Sequence, residues 1–63
     1  MDFIKKGILS TQEATVTKIE GGYVLDIVAF GIWEEIIHTS LEEVLETLRL
    51  YEFNINIEQL KKV

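Results

Sequence analysis

The sequence predicts an α+β fold, a small antiparallel sheet covered on one face by a single short helix. Three observations carry that prediction. Two runs of strand composition, ATVTKIE and YVLDIVAF, flank Gly21-Gly22. The run IWEEIIHT at 32–39 follows Gly31 and reads as a third strand. From Ser40 onward, Leu41, Val44, Leu45, Leu48 and Tyr51 recur at the spacing of one face of a helix.

Residues 1–12 read either as an N-terminal strand or as an arm that packs on a second subunit. Phe3, Ile4, Ile8 and Leu9 are apolar, Gly7 interrupts any helix, and Ser10-Thr11 suits a bend or strand edge. The hairpin that follows is the clearest element, because Gly21-Gly22 supplies the positive φ angles of a type I′ turn. With both glycines in the turn, Glu20 pairs with Tyr23, Lys18 with Leu25, Val16 with Ile27 and Ala14 with Ala29 on one face. Ile19, Val24, Thr17, Asp26, Thr15 and Val28 fall on the other. The first set is the more continuous apolar surface and is assigned to the helix side. The second mixes Thr and Asp with Ile and Val, and is assigned to water or a partner.

In the third strand Glu34-Glu35 breaks the alternation, so in any register one glutamate shares a face with apolar neighbours. A sheet edge accommodates this, since an inward carboxylate there reaches water and discourages stray pairing. A bulge near the two glutamates is the alternative. Ser40 with Glu43 fits a capping box at the helix start, and Thr39 with Glu42 repeats the motif one residue earlier. Opposite the apolar stripe lie Glu42, Glu43, Glu46, Arg49 and Glu52, with glutamates near the amino end where the helix dipole favours them. After the helix, FNINIEQ alternates as a strand would, and a fourth strand is expected over 53–57 ahead of a polar or briefly helical tail. Asn56 with Gln59 supports the competing reading, a capped terminal helix.

A chain of 63 residues makes one small domain, and one of that size buries only about 60% of the surface its unfolded form exposes. Cysteine is absent, so neither a disulfide nor a thiolate ligand is available, and the lone His38 cannot make a structural zinc site. No metal and no cofactor are expected. Hydrophobic residues nevertheless make up 48% of the chain. One helix on one small sheet cannot cover them all, which predicts a homodimer or larger assembly. Residues 13–58 carry ten carboxylates against Lys18 and Arg49, a net charge of −8. Phosphate backbones would repel such a surface, so direct nucleic-acid binding is not expected. No apolar run approaches the ~20 residues that span a bilayer. No secretory signal is visible, and with no cysteine the expected location is cytoplasmic, away from membranes.

Few residues suggest catalysis. Thr39 and Ser40 beside His38 are explained as strand end and helix cap, not as a nucleophilic triad. Glu34 and Glu35 are consecutive strand residues and point to opposite faces, so they do not converge as a carboxylate pair. Gly21-Gly22 precedes a strand, which removes a phosphate-binding loop. The chain is therefore not expected to be an enzyme. Candidate partner-binding residues are Trp33, Tyr23 and Phe30, as an exposed aromatic patch, with Glu42 and Glu46 on the helix. Core packing is the competing role for each aromatic.

The leading functional reading is a small interaction module acting as a homo-oligomer and binding another protein. One alternative is an acidic inhibitor that imitates nucleic acid on a basic protein surface. The other is a small-ligand binder with its pocket between subunits. In outline, a hairpin, a further strand and a short acidic helix resemble small phage or prophage accessory proteins that seize host enzymes. That resemblance is one of size and element pattern and carries over no functional residue.

Overall fold

The computed structural model describes residues 2–6 and 11–63. Four strands, β1 (Asp2–Lys6), β2 (Thr11–Ile19), β3 (Gly22–Ala29) and β4 (Ile32–His38), form an antiparallel meander in chain order. Helix α1 (Leu41–Leu50) and the single turn α2 (Ile57–Leu60) follow. The α+β class expected from the sequence is the one observed. The fourth strand, however, is the amino-terminal β1 and not residues 53–57. The bend expected around Gly7 and Ser10 lies outside the described residues.

The hairpin of β2 and β3 forms with the expected faces but a shifted turn. Val16 opposes Leu25, Ala14 opposes Ile27 and Ile19 opposes Gly22, two positions away from the pairing expected with both glycines in the loop. A shift of two keeps every side chain on its own face, because the side-chain period of a strand is two. The loop is therefore Glu20-Gly21, with Gly21 at φ +83. Gly22 begins β3, where a Cβ would collide with the backbone carbonyl of His38. Close backbone approach, not a positive φ, is what requires glycine there.

The type I′ turn expected at Gly21-Gly22 is instead at the next corner. Ala29 pairs with Ile32 across a two-residue loop, and its central residues Phe30 and Gly31 both have positive φ, 54 and 76. That sign pattern matches the twist of the flanking strands. Pairing along β3 and β4 runs without a break from Ala29–Ile32 to Tyr23–His38. There is no bulge at the glutamates, and β4 is an edge strand, as the Glu34-Glu35 pair suggested.

Ser40 caps α1, its hydroxyl accepting from the amide of Glu43 at 3.3 Å. The Glu43 carboxylate reaches back mainly to the residue before the cap, with only a minor contribution from the Ser40 amide. It accepts from the amide and hydroxyl of Thr39, at 2.9 and 2.6 Å. The helix ends in a Schellman arrangement, with Phe53 N–H donating to Leu48 O and Glu52 N–H to Arg49 O. Glu52 takes the left-handed position usually given to glycine, at φ 64.

Beyond it the alternation of Phe53, Ile55 and Ile57 has a different cause from a strand. The segment is irregular, with Phe53 and Ile55 buried in the core. Asn56 and Gln59 then exchange both bonds of a capping box and start α2, whose Leu60 is fully buried. The helical alternative for the tail is thus the one observed. The core comprises Ala14, Val16, Leu25, Ile27 and Ala29 from the sheet, Val44 and Leu48 from α1, and Phe53, Ile55 and Leu60. All the sheet members share the face assigned to the helix.

Candidate interaction surface

Two-residue loops fix which backbone groups of β4 are spent. The residues flanking such a loop exchange both their hydrogen bonds, and the exchange recurs at every second residue. Ala29–Ile32 flanks the second loop, so Ile32, Glu34, Ile36 and His38 turn their amides and carbonyls toward β3. Trp33, Glu35 and Ile37 turn theirs outward, along the free edge of the sheet. Their side chains lie on the face opposite the helix, because their partners Val28, Asp26 and Val24 alternate with the buried Ile27 and Leu25. The same three residues therefore supply the open edge and the rim of the open face.

That rim is strongly apolar. Trp33 is 62% exposed and Ile37 67%, while Phe30 at the corner reaches 74%. Ile4 and Ile19, also on this face by their register, are exposed as well. Between the apolar positions runs an acidic row, with Glu35 beside Asp26, Asp26 beside Thr15, and Thr15 beside Asp2. The Thr15 hydroxyl donates to Asp2 at 3.0 Å. Asp26 Oδ1 is enclosed yet accepts no hydrogen bond from the described residues.

On the helix side the same hairpin leaves a shallow crease of about 140 Å³ lined by Ile27, Ala29, Phe30, Ile32, Glu34 and Tyr51. Pockets for small ligands hold roughly 300–1,000 Å³, so this crease suits one side chain rather than a metabolite. At its wall the Tyr51 hydroxyl donates to the Glu34 carboxylate at 3.0 Å. That bond, with lesser contributions from burial and the carboxylate charge, holds the phenol above its ordinary value. Glu34 is thus the inward carboxylate that the sequence placed at an edge, and the helix supplies its partner.

The five candidate residues do not form one site. Trp33 and Phe30 lie near the same corner, on the open face and at the loop. Tyr23 is at the far end of β3, opposite His38, and packs partly buried against the core. Glu42 and Glu46 are exposed on α1. Tyr23 and Glu42 line a hollow with Leu41, Ile57 and Lys61, whereas Glu46 lines another with His38, Thr47 and Leu50. The sequence reading missed Ile37, Ile32 and Ile4. Ile37 had a signal, since it is four residues from Trp33 and shares its face in any unbroken register.

His38 Nε2 lies 2.9 Å from Thr47 Oγ1, tying the end of β4 to α1. With Thr39 and Ser40 occupied by the helix cap, this cluster is accounted for structurally. Among the described residues no group of three or more His, Asp or Glu side chains is placed to hold a metal ion. No helix among them is long and apolar enough to cross a membrane. No family model, curated protein or solved structure matches this chain.

Proposed function

We propose that the chain is a small, non-enzymatic, cytoplasmic interaction module that acts as a homo-oligomer and holds another protein through the β3–β4 hairpin. The observation that carries this reading is the exposure of Phe30, Ile32, Trp33 and Ile37 around the β3–β4 corner and the β4 edge, Trp33 and Ile37 on the open face and Ile32 on the helix side. Isolated exposed apolar residues are ordinary, whereas four of them along one hairpin of so small a chain mark an edge that is covered in use. Phe30 adds to this. A bulky residue held at positive φ is strained, and strain of that kind collects at functional positions. Copies of the chain would associate through the open face, where Ile4 and Ile19 extend the apolar area away from β4.

Sedimentation equilibrium over a range of concentration tests the reading. The chain should exceed its monomer mass of 7.3 kDa, and a Trp33→Ser, Ile37→Ser variant should lose that excess with an unchanged circular dichroism spectrum. Association that survives the double substitution, or a monomer at every concentration that captures nothing in high salt, would overturn it. Capture of a basic protein lost steeply as salt rises would favour the acidic mimic instead.

A further inference from the structure

We infer that the free edge of β4 takes an extended segment of a partner protein as a fifth strand, with a lysine or arginine between two apolar residues at alternate positions. The inference rests on the interaction reading above and names the chemistry of what is bound. Four observations lead to it. The outward amides and carbonyls of Trp33, Glu35 and Ile37 are a row of donors and acceptors that no strand among the described residues takes up, which is the template for strand addition. Their side chains, in the order apolar, acidic, apolar, stand on one face at the period of a strand. A strand docked ~4.8 Å beyond β4 sets its own alternate residues directly against these three. The complement is apolar, basic, apolar.

The third observation concerns a second copy of this chain as the occupant. Antiparallel self-pairing that opposes Trp33 with Ile37 of the copy also opposes Glu35 with Glu35, and like charges directly across a sheet are unfavourable. In the register that matches its apolar residues the edge therefore discriminates against itself and in favour of a cation. Association through the open face draws on the same Trp33 and Ile37 side chains, so the docked strand should compete with it.

The fourth is the pairing of Asp26 with Glu35 on the open face, which sets two acids side by side opposite the incoming residue. A long basic side chain opposite Glu35 lies across that carboxylate toward Asp26, its stem on the apolar neighbours and its head at both acids.

The probe is the capped peptide Thr-Ile-Thr-Lys-Thr-Val-Thr, titrated into the full chain. Trp33 is the only tryptophan, so its fluorescence reports docking directly, and amide exchange reads the edge residue by residue. Binding should slow exchange at Trp33, Glu35 and Ile37 and leave Ile32, Glu34 and Ile36 unchanged. A peptide N-methylated at the lysine nitrogen should not bind. Glu35→Lys should weaken binding at least about tenfold, and the peptide with glutamate in place of lysine should restore it. Glu35→Gln, a smaller change, should lie between.

No fluorescence or amide change up to about 2 mM peptide, a concentration that detects even roughly 4 kcal/mol of binding, would overturn the inference. So would binding that ignores the charge swap. If the peptide fails while Trp33→Ser, Ile37→Ser still abolishes self-association, the edge assignment alone falls. If those substitutions also change nothing, the interaction module falls with it.

Discussion

The two faces of this sheet are built from alternate residues of the same strands, yet they differ in almost every physical respect. The helix side is aliphatic and closed over β2 and β3, with Ala14 and Ala29 small enough to let the cover approach and Leu25 and Ile27 filling the space beneath it. The open side carries larger apolar groups at its rim and acids through its middle. Small residues beneath a cover and large ones at an exposed rim are what separate a packed core from a docking surface. The contrast also shows how far one strand can serve both ends, since Ile36 turns toward the helix and Ile37 away from it.

Substitutions can break or sharpen this contrast. Leu48→Ala should have the largest effect, lowering stability by about 2–5 kcal/mol because Leu48 is fully buried; chemical denaturation reads it, and a near-neutral result would mean that α1 is not the cover. Phe30→Gly acts at the corner where the faces meet. Removing a bulky side chain from positive φ should gain about 0.5–1 kcal/mol after the greater freedom of the unfolded glycine is subtracted, while weakening any docking that uses the aromatic ring. A loss of stability would place Phe30 in the core instead. Ile37→Thr, on the open face, should change monomer stability by less than about 0.5 kcal/mol, measured at concentrations below self-association.

The smallest effect is one of pH. The Thr39 hydroxyl, and then the Thr39 amide, hold the Glu43 carboxyl below its ordinary value of 4.5. The charged form is favoured by folding, so this contribution is complete above pH 4.5 and disappears as pH falls through the lower folded value. Glu43→Gln should flatten the acid limb of the melting-temperature profile. An unchanged limb would remove the carboxylate from the cap.

Much of this architecture is legible in the residues because face assignment depends only on parity. Val16, Leu25 and Ile27 declare their side whichever of two in-phase registers forms, and the stripe ending at Leu48 and Tyr51 declares the helix. The turn was less legible. Two adjacent glycines suggest two positive φ angles, whereas Gly22 answers a steric demand from the His38 carbonyl, a residue sixteen positions later in the chain. Phe30 was opaque for the opposite reason, since nothing local favours a phenylalanine at positive φ and only strand pairing on both sides imposes it. Segment 53–57 misled through its period, because an irregular chain laid over a core can alternate as a strand does. For the candidate surface, Trp33 and Phe30 were found by type. Ile37 and the acidic row needed the register.

The strand order has a consequence for how the molecule forms. Because β1 to β4 neighbour one another in chain order, each hairpin can close on the one before it without a long loop, and such local pairing favours rapid folding. The contact between Lys5 and Glu52, 3.3 Å across a span of 47 residues, belongs to the opposite class. Phe53, Ile55 and Leu60 join the core from the far end of the chain, and a segment that docks after the sheet has formed contributes little to the folding transition state. Substitutions there should quicken unfolding far more than they slow folding, making the tail the latch that sets the lifetime of the folded chain.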